Sequence, residues 1–268
     1  MGYNLLICKW SEAKNMVYDL QKASMWKRIA AWMFDGILTA TLAVGFGLLL
    51  SFLLGYDAHN DKMEASLSAY ETQYGVVFDI TQDAYLAMSD GQRQNYEDAY
   101  AALTADPEFL YAYNMSLNLT LVITTVSILL AMILWEFAVP LRFGNGQTLG
   151  KKIFGLGLVR TDGVKVNNLQ LFTRMLLGKF TIGIMLPVYL VILLLFGSIG
   201  LTGTVVLLGL AAAQLLCAIL TKTNAFIHDL MAGTAVVDIS SQMIFRSTED
   251  LIEYRKQVAA ERAARQTY

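Results

Sequence analysis

The sequence predicts an all-α membrane protein with four transmembrane helices. Both termini are expected to be cytoplasmic, with an acidic helical extracytoplasmic insertion between the first two spans. Three observations lead there. Of 268 residues, 56% are hydrophobic and only 16% charged, against about 25% charged in an ordinary soluble domain. The mean hydropathy is +0.48. Apolar runs of membrane-spanning length recur along the chain, and the basic residues fall almost entirely on one side of them. Disorder and collagen-like structure are excluded by the same composition.

Residues 1–28 are polar and of mixed charge, an amphipathic cytoplasmic segment rather than a cleavable signal, because no small-x-small site follows a short apolar core. Residues 29–54 form the first span, with Asp35 as its only charge. After the 55–116 loop, residues 117–140 form the second, with Glu136 as its only charge. Residues 180–221 carry no charge at all. As one helix, at about 1.5 Å per residue, they would reach roughly 60 Å, about twice the hydrocarbon thickness. They are therefore expected to fold back near Gly197-Ser198-Ile199-Gly200 as a transmembrane hairpin.

Orientation follows from Lys and Arg. Residues 1–28 hold five basic residues, the 141–179 connection seven and the 222–268 tail six. The 55–116 loop holds two, Lys62 and Arg93, against eleven acidic residues. The basic segments are thus expected in the cytoplasm and the acidic loop outside.

Within that loop, Tyr70 with Tyr74 and Tyr96 with Tyr100 sit at i,i+4, which predicts two short amphipathic helices, with breaks at Asp90-Gly91 and Asp106-Pro107. Three roles stay open for it: a cation-concentrating antechamber, a docking face, or helices that simply pack on one another. In the 141–179 connection, Thr148 to Phe154 reads as a short helix. Its Lys151 and Lys152 are either topology determinants or contacts for anionic headgroups. Leu156 to Val166 reads as a hairpin turning at Asp162-Gly163, and Leu171 to Lys179 as an interfacial helix. Thr234 to Val237 is β-rich, and Ser247 three residues before Asp250 resembles a capping box opening a charged helix.

Ionisable groups inside spans cost about 2.5–3.5 kcal/mol each on insertion scales, and they mark function or a buried partner. Asp35 lies about two helical turns, roughly 10 Å, beyond Arg28, and Glu136 lies roughly 9 Å before Arg142 on a helix running the other way. Neighbouring spans would put the two carboxylates at matched depth. Three outcomes are open: the pair shares a proton, a cation bridges it, or an Arg from a neighbouring segment, with Arg28 and Arg142 both near, neutralises one acid as a structural knot.

Other chemistry is thin. Two histidines, His59 and His228, preclude an HExxH zinc site. No GxSxG elbow, Walker loop or dinucleotide fingerprint is present, no acid–base–nucleophile set converges, and no cofactor is implied. An enzyme is not expected. Cys8 and Cys217 support no disulfide framework. The net charge of -2 gives no field for nucleic acid.

Three blocks carry a resemblance. Ala23-Ser24-Met25-Trp26-Lys27-Arg28-Ile29-Ala30-Ala31 leading to Asp35 resembles the opening R-x2-A-x3-D of the RDD family of bacterial membrane proteins. Gly146-Gln147-Thr148-Leu149-Gly150-Lys151-Lys152, then Gly155-Leu156 and Asp162-Gly163, resembles that family's cytoplasmic segment, with Arg174 at the place of its following Arg. His228-Asp229, Ala232-Gly233-Thr234 and Val236-Val237 resemble its close. The resemblance covers most of residues 23–238 and implies that Arg28, Asp35 and Asp229 are the Arg and two Asp of the family name. Ligand transport is proposed for the family, and some members are reported to exchange sodium for protons. This chain departs from it at Gly36, where a second Asp is frequent, and between Asn224 and Ile227, where an Arg is common.

The resulting expectation is a multi-pass protein of a bacterial cytoplasmic membrane. It would carry a small sodium-type cation in exchange for protons, with Asp35 and Glu136 as the exchanging carboxylates and Arg28 with Asp229 as gate or structural salt bridge. Its partners would be the lipid bilayer and, because four spans enclose little volume, a second copy. The alternative is a non-transporting accessory or scaffold protein that holds a partner complex through the acidic loop or charged tail.

Overall fold

The computed structural model describes residues 19–197 and 200–266. Residues 1–18 of the expected 1–28 amphipathic segment, with Cys8, lie outside the described residues, as do Ser198 and Ile199 of the expected turn.

Four helices are long and apolar enough to cross a membrane: Met25–Leu54, Pro107–Phe143, Asn168–Leu194 and Gly200–Leu220. Their exposure pattern is the reverse of a soluble protein's. Leu194 is 83% exposed and Leu201 81%, whereas Arg28, Asp35, Arg174 and Asp229 are buried. Bare leucine outside and charge inside is stable where the surrounding solvent is hydrocarbon. The chain is a helical, multi-pass membrane protein.

In chain order the elements are α1 (Met25–Leu54), α2 (Tyr56–Tyr74), α3 (Gln82–Leu86), α4 (Asp90–Ala105) and α5 (Pro107–Met132). A π-helical segment, Ile133–Ala138, continues α5 into α6 (Val139–Phe143). Then come α7 (Leu149–Ile153), β1 (Leu156–Arg160), α8 (Asn168–Thr173), a second π-helical segment (Arg174–Phe180), α9 (Thr181–Gly183), α10 (Met185–Phe196) and α11 (Gly200–Leu220). The chain closes with α12 (Ile227–Ala232), β2 (Thr234–Asp238) and α13 (Thr248–Gln266).

The described residues divide into two units. One comprises residues 44–127, and the other those up to 43 together with those from 128 onward.

In the 44–127 unit an aromatic cluster holds the insertion helices. Tyr70 stacks on Tyr74 with centroids 6.3 Å apart, and Phe78 meets Tyr96 edge-on at 5.8 Å. The Tyr85 hydroxyl donates to Glu97 at 2.6 Å. The break expected at Asp90-Gly91 falls just ahead of it, at residues 87–89, between the end of α3 and the start of α4. The Ser89 hydroxyl accepts the Gln92 N–H at 3.4 Å and the Gln92 side chain accepts the Ser89 N–H at 3.0 Å, a reciprocal cap that starts α4 there. Asp106-Pro107 does break the chain: the Asp106 carboxylate accepts the Glu108 N–H at 2.8 Å, and Pro107 suits a first helical turn.

In the other unit a small sheet organises the chain between spans. β1 pairs with β2 antiparallel, from Leu156 opposite Asp238 to Arg160 opposite Thr234. The turn at Asp162-Gly163 exists, with Arg160 N–H donating to the Val164 carbonyl at 2.7 Å. The full ladder partner of β1, however, is β2 rather than the residues just after the turn. Residues alternate as a strand requires. Leu156, Leu158 and Val236 cluster with Ala23, Ala31, Val166 and Leu171 on one face. Val159, Ala235 and Val237 cluster on the other. The Ser247 hydroxyl accepts the Asp250 N–H at 3.2 Å at the start of α13, as the spacing predicts.

Three helices run longer than the apolar stretches expected of them: the first starts at Met25 rather than residue 29, the second covers Pro107–Phe143 and the third starts at Asn168. The second carries its π segment just before Pro140. An α-helical Pro140 would press its ring on the Glu136 carbonyl, and a widened turn relieves that clash. The third helix starts at Asn168, well before residue 180, behind a reciprocal cap between Asn167 and Gln170, and within it Arg174 pairs with Asp229 and Lys179 with Glu136.

Candidate functional site

Where α1, the two π segments, α7 and α12 converge, seven charged side chains meet. Asp35, on α1, accepts the Gly150 N–H at 2.9 Å and the Trp135 indole N–H at 3.2 Å on one oxygen. Its other oxygen accepts the Thr148 hydroxyl. Thr148 also accepts the Lys151 ammonium at 3.0 Å and caps α7 through the Lys151 N–H at 3.4 Å. One hydroxyl thereby ties the helix start, the lysine and the aspartate together.

Glu136 faces two lysines. Lys179 Nζ donates to its Oε1, and Lys151 Nζ stands 3.7 Å from its Oε2. The same Lys151 Nζ lies 4.0 Å from Asp35 Oδ2. Trp135 and Glu136 are consecutive, and consecutive residues of an α-helix do not share a face. The wider π turn lets both point into the cluster.

Asp229 receives Arg28 Nη2 at 2.9 Å and Arg174 Nη1, and its Oδ2 accepts the Phe226 N–H at 3.1 Å. Arg28 also donates to the Asn224 carbonyl at 2.5 Å and lies over the Phe226 ring. Arg174 donates to Thr234 at 3.0 Å, which anchors the site to β2.

Two glycines permit the close packing. A Cβ on Gly150 would lie 2.5 Å from the Ala31 carbonyl oxygen and 2.9 Å from the Asp35 carboxylate. One on Gly178 would lie 2.3 Å from the His228 Cβ. Neither distance leaves room for a methyl group.

The electrostatics follow from burial. Burial pushes Lys151 down from its ordinary 10.5 to about 8, with the Glu136 charge opposing. Burial and the nearby Arg174 hold His228 neutral, well below its ordinary value. For Asp229 burial works upward, but Arg174, Arg28 and the Phe226 N–H outweigh it and hold the carboxyl at about 2.

These residues fall within a region that matches a known family. The RDD family model covers residues 22–233. The chain belongs to the RDD family. Among relatives, it is 32% identical over 123 residues to a Bacillus subtilis (strain 168) protein named "Uncharacterized protein YckC", a match covering 46% of this chain. The chain spans 61% of that relative's length. No solved structure matches.

In this RDD family protein the three residues matched to the family name do not form one triad. Arg28 pairs with Asp229, whereas Asp35 belongs with Thr148, Gly150 and Trp135. Asp35 and Glu136 are brought to one place, with Lys151 between them. Reading the residue pattern alone misses Lys151 and Lys179, because both count among the basic residues that set topology. It treats Lys151 and Lys152 as equals, but they part company: Lys151 is buried on the carboxylates, and Lys152 is exposed with its ammonium over the Phe143 ring at 4.2 Å. The run Thr148-Leu149-Gly150-Lys151 is the signal that could have found the site.

Proposed function

We propose that this protein exchanges protons for a monovalent cation of the sodium class, with Asp35 and Glu136 as the cation-binding carboxylates. The observation that carries this reading is the convergence of both carboxylates on the single Lys151 ammonium, at 4.0 and 3.7 Å. An ammonium and a small monovalent cation satisfy the same electrostatic seat. When Lys151 gives up its proton and withdraws, the two carboxylates face a vacated unit of positive charge, which a cation fills. Trp135, Gly150 and Thr148 orient Asp35 with neutral donors. The Arg28–Asp229–Arg174 group serves as the lock beside it. We place both termini in the cytoplasm on the charge distribution, and form the path between two copies, since four spans enclose little volume.

The test is proton release. Sodium chloride is added to detergent-solubilised protein in weakly buffered solution at neutral pH, with choline chloride as control. The expected result is about one proton released per cation bound in the wild type and none in Glu136→Gln. Identical traces for sodium and choline would remove the exchange reading.

A second reading has its own support. Each carboxylate of the cluster already has protein donors, as a purely structural knot would. The chain would then be an accessory protein that holds a partner through the acidic insertion or α13. In that case truncation after residue 247 abolishes function while Glu136→Gln preserves it.

A further inference from the structure

We propose that residues 148–154 form a hinged lid, seated on Asp35 and Glu136 by the contacts of Thr148, Gly150 and Lys151 and able to lift away while both of its ends stay pinned. The pins are on β1 and its neighbours. Before the lid, the Asn145 carbonyl accepts the Leu158 N–H at 2.9 Å, and the Gln147 side chain donates to the Leu156 carbonyl at 2.8 Å. After it, the Gly155 carbonyl accepts the Ile239 N–H at 3.0 Å. The segment leaves and rejoins the sheet at nearly the same place, the geometry of an Ω-loop. Left-handed backbone stands at both ends, with φ of 46° at Asn145 and 60° at Gly146 on one side and 68° at Gly155 on the other.

Between these hinges the segment has two faces. The inner face is Thr148, Gly150 and Lys151, all buried. It makes the contacts to the site: the Thr148 hydroxyl and the Gly150 N–H to Asp35, and the Lys151 ammonium toward Glu136. The outer face is Lys152 and Ile153, the latter 58% exposed. Among the described residues no strand pairing crosses the seat, so lifting α7 breaks those polar contacts and leaves the β1–β2 pairing whole. Phe154, packed against the cluster around Leu156 and Leu158, is the pivot. Lifting uncovers Asp35 and Glu136 together. A lid on this site regulates the proposed exchange, and it rests on that reading only for what it admits.

Hydrogen exchange by mass spectrometry, in wild type and Gly150→Ala, tests it. In the wild type the 148–154 amides are expected to exchange about tenfold or more faster than those of β1 and β2. In Gly150→Ala the added methyl meets the Ala31 carbonyl and Asp35, so the lid cannot seat. Exchange in 148–154 should rise again by about tenfold, with β1 and β2 unchanged. Labelling of Asp35 and Glu136 by a water-soluble carbodiimide should rise with it. Preserved β1–β2 protection certifies that the variant is folded. Wild-type exchange in 148–154 as slow as in the sheet overturns the lid, and so does a rise that spreads equally into β1 and β2. Sodium-driven proton release is read separately, so a mobile lid with no release removes the exchange and keeps the lid, and the converse pattern does the reverse.

Discussion

Lys151 and Glu136 form a buried ion pair with Nζ and Oε2 3.7 Å apart, and Lys179 closes on the other oxygen of the same carboxylate. One carboxylate thus separates two ammonium groups. That arrangement makes the partners unequal. Glu136→Gln leaves Lys151 and Lys179 facing each other in a buried place, whereas Lys151→Met leaves Glu136 still paired. Removing one partner of a buried pair costs about 3–5 kcal/mol when the other is left uncompensated. Glu136→Gln should therefore approach that range, and Lys151→Met should lose about 1–2 kcal/mol, as a partly compensated break does. The double variant should be more stable than the sum of the two losses implies. Unfolding in detergent measures the cycle.

Asp229 neutralises both Arg28 and Arg174. Asp229→Asn leaves two buried guanidinium groups without a counter-charge and should cost about 3–5 kcal/mol. Arg28→Met retains the Arg174 pair and should cost less, despite removing the contact to the Asn224 carbonyl. The ordering of thermal midpoints decides it. Equal losses would mean that Arg174 alone does not satisfy Asp229.

His228 is held neutral, with burial as the main cause and Arg174 the next. Its folded-state pKa lies below the unfolded value near 6.5. Below that pH the unfolded chain binds a proton that the folded chain refuses, so stability should fall as pH drops through 6.5. The slope can reach about 1.4 kcal/mol per pH unit. Denaturation midpoints from pH 7.5 to 5 measure it, and His228→Gln should flatten the curve. An unchanged slope in that variant would assign the dependence to other groups.

Hydropathy makes the four spans legible, because long apolar runs dominate any local propensity. Asp35 and Glu136 stand out for the same reason, as lone charges in apolar helices. The ends of the spans are less legible. Arg174 and Lys179 read locally as charges on an interfacial helix, and their pairing with Asp229 and Glu136 is a contact between distant segments that local pattern does not carry. The strand at Thr234 to Asp238 is visible locally, but its partner is not: the nearer turn at Asp162-Gly163 competes for β1 and forms beside the longer-range ladder. Gly150 is marked in the sequence only as part of the Thr148–Lys151 run, which does not say why a glycine stands there. Only the approach of α1 to α7 shows that a side chain there would collide with Ala31.

The central claim is that Asp35 and Glu136 bind a cation in place of the Lys151 ammonium. Sodium uptake into proteoliposomes under an imposed pH gradient tests it most directly. The account predicts gradient-driven uptake by the wild type, and loss of it in both Asp35→Asn and Glu136→Gln while each variant stays folded. Uptake in Asp35→Asn equal to that of the wild type would contradict it.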